Sequence, residues 1–258
     1  MVSTYIYADS FDDFAEQAQE IWEQKLGYQL VDVEEIGDNA WTGVFKGNTR
    51  GNSFDRRDDF AALEEAIETQ WDSNFDLVDL DYVDDTWIAV FDKNFFANRG
   101  SSYSRADSIP EFAELAEEQW SKGFNLTNVE YADNTWVSIY RKDLTQTAYS
   151  TTDSLTGLKS IIAKRRGQGY DLIGVEYGDD TWVGVFGKDP YNSTKYAIAE
   201  DITEFMEKFE QRREQGDRLI DYEQVEDGLL FGIYEQSDSG SSGFNESLDN
   251  INLALALI

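Results

Sequence analysis

The chain has 258 residues, 41% hydrophobic and 14% aromatic, enough for one globular body with a sizeable core. It carries 21 Lys and Arg against 52 Asp and Glu, a formal net charge of −31, and that field repels nucleic-acid phosphate and anionic membrane. Histidine and cysteine are both absent, which excludes disulfides, Cys/His zinc sites and Ser-His or Cys-His nucleophilic catalysis.

From the N-terminus, Tyr5-Ile6-Tyr7 is β-prone. Phe11, Phe14, Ala18, Ile21 and Trp22 then recur at helical spacing, and Gly37-Asp38-Asn39-Ala40 turns into Trp41. The sequence repeats. A weak strand signal near Phe54 precedes a helical face of Phe60, Leu63, Ile67 and Trp71, then Val83-Asp84-Asp85-Thr86 and Trp87. Next comes Tyr103-Ser104, followed by a capping box of Ser108 and Glu111 with Pro110 in the first turn. Ile109, Phe112, Leu115, Ala116 and Trp120 share that helix's face, and Ala132-Asp133-Asn134-Thr135 leads to Trp136. The fourth copy has Ala148-Tyr149-Ser150, a helix with Leu155, Leu158 and Ile161 or Ile162, then Gly178-Asp179-Asp180-Thr181 and Trp182. The fifth has Tyr196-Ala197-Ile198, an Asp201-to-Glu204 cap over Ile202, Phe205, Met206 and Phe209, and Glu226-Asp227-Gly228 before Leu230.

Trp41, Trp87, Trp136 and Trp182 lie 46, 49 and 46 residues apart, and Leu230 follows 48 residues on. A fixed period of this size marks a repeat array. Asp and Asn tolerate positive φ, so the Asp-Asp and Asp-Asn pairs read as hairpin turns. After the turn, Trp182, Gly184 and Phe186 share one face and Val183 and Val185 the other, the pattern of a central strand covered on both sides. Before it, Asp171, Ile173, Val175 and Tyr177 alternate with Tyr170, Leu172, Gly174 and Glu176, a strand nearer an edge or rim.

These elements predict an α/β repeat protein of five β-α-β-β units, at about 4–48, 52–94, 101–143, 148–189 and 195–236, within a single domain of residues 1–236. One such unit cannot bury enough apolar surface alone, so neighbours must stack. Closure as a five-bladed α/β propeller, like the penteins in outline, is the favoured arrangement, and an open solenoid is the alternative. The enzymes of the pentein fold use a cysteine and a histidine, neither of which this chain has. Residues 237–258 read as a Ser/Gly linker and an apolar tail, either a docking strand or an uncleaved export signal. The start of the sequence has neither the basic nor the apolar segment of a cleavable signal, so a cytoplasmic location is expected, with export through the tail as the alternative. No apolar run approaches twenty residues, so no membrane-spanning helix is expected.

The run Trp120-Ser121-Lys122-Gly123-Phe124, its β segment and Trp136-Val137-Ser138-Ile139 resemble a repeat domain of unknown function. That domain occurs at the C-terminal end of plant casein-kinase-I-like kinases and in scattered bacterial, including cyanobacterial, proteins. The resemblance covers about residues 4–238. Copies four and five depart from it, with Arg166 and Arg213 at the helix tryptophan position. It implies a non-catalytic accessory or interaction module and transfers no site residues.

Three candidate sites arise. The acidic turns Asp84, Asp85, Asp133, Asp179 and Asp180, with Asp81, Glu130 and Glu176 just upstream, offer oxygen ligands for calcium; turn formation alone is the preferred account. Trp41, Trp87, Trp136 and Trp182 would make equivalent platforms for a glycan or a cationic side chain, against the preferred role of core packing. A carboxylate pair could serve a glycosidase-like hydrolase, but fifty-two acids single out no pair. Arg56-Arg57, Lys164-Arg165-Arg166 and Arg212-Arg213 could meet an acidic partner or simply balance charge. The expectation is a non-catalytic module binding a protein or glycan, with calcium as an optional aid. An acidic hydrolase and an acidic inhibitor or mimic are the alternatives.

Overall fold

The computed structural model describes residues 3–23, 28–36, 40–47, 52–83, 85–93, 100–142, 146–188, 193–225 and 228–236. One set of elements repeats five times among them. The first unit holds β1 (Ser3–Ala8), α1 (Phe11–Glu23), β2 (Tyr28–Ile36) and β3 (Ala40–Gly47). The second holds β4 (Asn52–Arg57), α2 (Phe60–Asp72), β5 (Phe75–Val83) and β6 (Thr86–Lys93). The third holds β7 (Ser101–Ala106), α3 (Ile109–Ser121), β8 (Asn125–Ala132) and β9 (Thr135–Arg141). The fourth holds β10 (Thr147–Thr152), α4 (Leu155–Arg166), β11 (Asp171–Gly178) and β12 (Thr181–Gly187). The fifth holds β13 (Thr194–Ala199), α5 (Ile202–Glu214), β14 (Asp217–Gln224) and β15 (Leu230–Gln236). The tail beyond residue 236 lies outside the described residues.

Local chemistry fixes the ends of these elements. Asp59, Ser108, Ser154 and Asp201 cap their helices by accepting backbone N–H bonds from Ala62, Glu111, Gly157 and Glu204. Two to three residues beyond α2, α3, α4 and α5, Asn74, Gly123, Gly169 and Gly216 take φ between 63° and 82° and redirect the chain into the next strand. The hairpin turns also need the left-handed region. Asp133 and Asn134 have φ of 51° and 57°, and Asp179 and Asp180 have 46° and 56°, the backbone of a two-residue primed turn.

Each unit forms its own three-stranded antiparallel sheet. The post-turn strand is central, flanked by the unit's first and second strands. No hydrogen-bonded sheet continues from one unit to the next among the described residues. The units are joined by packing instead. The helix face of each sheet, with its helix, forms a core that the back of the next sheet completes. Leu30, Val33 and Phe14 of the first unit thus meet Ile88 and Val90 of the second. Val137 and Ile139 cover the second core, Val183 and Val185 the third, and Phe231 and Ile233 the fourth. The fifth core, built on Phe205, Phe209 and Leu219, is covered by Val44 and Val31 of the first unit.

The helix tryptophans strengthen these joints. Trp22 packs on Phe54, Trp71 on Tyr103 and Trp120 on Tyr149, each ring reaching the first strand of the next unit at 5.7–6.0 Å. Where the fourth copy has arginine, Arg166 donates to the Thr194 carbonyl across the same joint at 2.7 Å. Polar contact replaces ring stacking there.

The second strand of each unit departs from the alternation expected of it. A register shift falls after Leu30, Leu77, Leu126, Leu172 and Leu219, leaving Val31, Val78, Thr127, Ile173 and Ile220 without a paired partner. A bulge resets which face later residues occupy. Leu172 therefore shares a core with Val175 rather than facing the same way as Gly174 and Glu176.

Candidate functional site

The bulged strands bring together what the sequence scatters. Paired against Val44, Val90, Ile139, Val185 and Ile233 stand Asp32, Asp79, Asn128, Gly174 and Asp221. Two residues on come Glu34, Asp81, Glu130, Glu176 and Glu223. The second strands lie against one another in unit order, β2 by β5, β5 by β8, β8 by β11 and β11 by β14, and β14 lies against β2. Seven carboxyl groups of these strands consequently act on one another: Asp32, Asp79, Asp81, Glu130, Glu176, Asp221 and Glu223. Asp32, Asp79, Asp81, Glu176 and Glu223 are only 3–7% exposed, and Glu130 and Asp221 are half-buried. The side chain of Glu34 lies outside the described residues.

Part of the cluster is hydrogen-bonded across the joints. The N–H of Val175 donates to Asp221 Oδ2 at 3.1 Å. In the same register the N–H of Val33 donates to Asp79, and that of Tyr222 to Asp32. One layer on, Tyr82 N–H donates to Glu130 and Tyr177 N–H to Glu223. Asn128 Nδ2 donates to Asp79 Oδ1. Glu176 lies in hydrogen-bonding reach of both Glu130 and Glu223, a contact two carboxyls make only with a proton between them. The other oxygens of Asp32, Asp79 and Asp81 are buried without a partner.

Burial is the main force on these groups. It disfavours the charged form, and neighbouring carboxylates add like-charge repulsion. Asp79 is raised to about 7, even though Asn128 and two backbone donors pull it down. Burial, then repulsion, holds Asp32, Asp81, Glu130, Glu176, Asp221 and Glu223 well above the usual carboxylate range. The cluster can hold protons at neutral pH. Among the described residues no three acids are arranged to hold a metal ion.

The other expected sites lie elsewhere. Asp85, Asp133, Asp179 and Asp180 are exposed turn residues, and Asp84 lies outside the described residues. Trp41, Trp87, Trp136 and Trp182 are buried in the unit cores, where the last three pack against Tyr82, Tyr131 and Tyr177 of their own hairpins. A ring so buried has no face to offer a glycan. Three of the arginines are engaged internally. Arg56 lies over Phe11 and Trp41, Arg165 donates to Ser150 and Tyr149, and Arg212 pairs with Asp217. A groove of about 420 Å³ between α5 and β13 is lined by Lys208 and Arg212, but Lys208 already binds the Ile198 carbonyl and Glu204.

The pattern that marks the cluster was present in the chain. Leu-x-Asp-x-Glu, or a close variant, recurs as Leu30-x-Asp32-x-Glu34, Leu77-x-Asp79-x-Asp81, Leu126-x-Asn128-x-Glu130, Leu172-x-Gly174-x-Glu176 and Leu219-x-Asp221-x-Glu223. Fold and site together define an acidic α/β repeat protein with inter-unit carboxyl joints. No protein-family model matches the chain, and no curated protein matches it.

Proposed function

We propose that this chain is a non-catalytic binding module whose five units close into a ring, pentein-like in outline, and present their exposed turns to a protein or glycan partner. The observation that carries closure is the joint between the fifth unit and the first. Val31 and Val44 cover the fifth core as Ile88 and Val90 cover the first, and Tyr222 donates to Asp32 as Val33 donates to Asp79. An open array would leave the fifth core bare.

The binding role follows from where the polar groups are. The carboxyl cluster is engaged in the joints and five of its seven acids are buried, whereas a carboxylate-pair hydrolase needs both groups on the sugar. The turns bearing Asp85, Asp133, Asp179 and Asp180 are exposed and repeat around the units. With a net charge of −31, the favoured partner is a basic protein surface or a neutral glycan. The half-buried Glu130 and Asp221 favour one second reading, a hydrolase with a proton-bearing carboxyl as its acid.

Glycan arrays and affinity capture on the intact chain test the proposal. Charge reversal at Asp85, Asp133 and Asp180 is expected to abolish binding while the fold is retained. Glycan turnover that disappears in Glu130→Gln, with binding unaffected by the turn substitutions, would favour the hydrolase.

A further inference from the structure

The axial carboxyls do more than line an interface. Each layer spans the boundary between consecutive units: Asp32 with Tyr222, Asp79 with Val33, Asp221 with Val175, Glu130 with Tyr82, and Glu223 with Tyr177. Every joint among the described side chains thus has an acid on one unit and, where a bond is shown, a backbone donor on its neighbour. The leading charges that face them are one another's. Asp32 faces Asp79, Asp81 and Asp221; Asp81 faces Glu130, Asp79 and Asp221; Glu176 faces Glu223, Glu130 and Asp81. The neutral Asn128 is the one amide placed among them by register.

We propose that protons held between these inner-strand carboxyls lock the joints, and that their release loosens the five-unit arrangement, making it a pH-responsive switch. The geometry carries this independently of any ligand. Glu176 reaches both Glu130 and Glu223, and carboxyls hydrogen-bond to each other only when at least one retains its proton. Asp32 Oδ2, Asp79 Oδ2 and Asp81 Oδ2 are at least nine-tenths buried without a partner, a costly position for a full charge and a tolerable one for an acid. Loss of the protons to solvent would leave like charges on facing strands, with no hydrogen-bonded sheet across the joints among the described residues to resist separation. The raised proton affinity of the same groups agrees with this reading.

The test uses the full chain in chelator, titrated from about pH 5 to about pH 9. Infrared absorption follows un-ionised carboxyl groups, and amide hydrogen exchange follows Val33, Val175 and Tyr222. The expected result is a carboxylic-acid band that persists at neutral pH and fades on alkalinisation. As it fades, exchange at those three amides should accelerate about tenfold beyond the intrinsic rise with pH. Glu176→Gln, which keeps the shape of the acid and cannot ionise, should reduce that acceleration, and the exposed Asp179→Asn should not. Absence of the acid band at neutral pH would overturn the proposal. So would a band that fades with no change at the joints. Removal of the pH response by millimolar calcium, in place of the chelator, would also overturn it in favour of a metal-held centre. If Glu176→Gln fails to fold, the titration of the unaltered chain decides alone.

Discussion

Val175 donates its backbone N–H to Asp221 Oδ2 at 3.1 Å, tying the fourth unit to the fifth. Strand β11 spends that donor on its neighbour's side chain rather than on a sheet of its own. The acceptor is a half-buried carboxyl, and a carboxyl keeps an acceptor oxygen whether or not it is protonated.

Removing the acceptor should therefore cost more than removing the charge. Asp221→Ala is expected to lower stability by about 1–3 kcal/mol, because it orphans the Val175 donor. Asp221→Asn retains an acceptor and should cost clearly less. Urea denaturation at one fixed pH compares the two.

The pH dependence of stability should run opposite to ordinary acid denaturation. Burial raises Asp79 to about 7 in the folded chain, from 3.8 when unperturbed. Between those values the folded state keeps a proton that the unfolded state has lost, so stability falls as pH rises from about 4 through about 7. One such shift corresponds to roughly 4 kcal/mol, and the other six carboxyls act in the same direction. Repulsion across a chain of charge −31 has the same sign, so the variant matters. Asp79→Asn should flatten the slope and Asp180→Asn should not, as followed by melting temperature against pH.

Gly178 ends β11 where any Cβ would overlap the ring of Tyr131 in the third unit. Gly178→Val should destabilise by about 1–3 kcal/mol through overpacking of that joint. Hydrogen exchange should show the loss concentrated between the third and fourth units. A uniform loss across all five would argue against a specific contact.

The acidic turns are expected to be turns. Asp179 and Asp180 hold φ of 46° and 56°, which glycine adopts at no steric cost. Asp180→Gly should leave stability within about 0.5 kcal/mol or raise it slightly. Asp180→Val should lower it, whether or not calcium is present. Thermal melts with calcium and with chelator distinguish this from a metal site, where Asp180→Gly would abolish a calcium-dependent rise.

The repeat, its helices and its central strands were legible because each rests on a local rule. Ser108 and Asp201 announce caps, the Asp-Asp pairs announce turns, and the apolar faces around Trp182 announce a strand covered on both sides. The strand near Phe54 was faint because Asp55, Arg56 and Arg57 interrupt it. In the fold Arg56 lies over Phe11 and Trp41 of the first unit, a contact no local pattern reveals. The carboxyl cluster was hidden for two reasons. Strict alternation puts Leu172 and Gly174 on one face, and only the bulge separates them. Proximity of Asp32 to Asp221 is a property of how the units stack, and their 189-residue separation gives no sign of it. Recurrence of an acid at Asp81, Glu130 and Glu176 was visible, but without the bulge these residues read as oxygen ligands beside the turns.

Closure of the five units is the claim on which the rest depends. Glu16, Glu65, Glu114 and Glu207 are exposed at equivalent places on α1, α2, α3 and α5, and the chain has no native cysteine. Cysteine pairs at these positions can carry spin labels for distance measurement by electron resonance. A ring predicts that the 16–207 distance matches the 16–65 distance and falls short of the 16–114 distance. A 16–207 distance longer than both would mean an open array and would contradict the account.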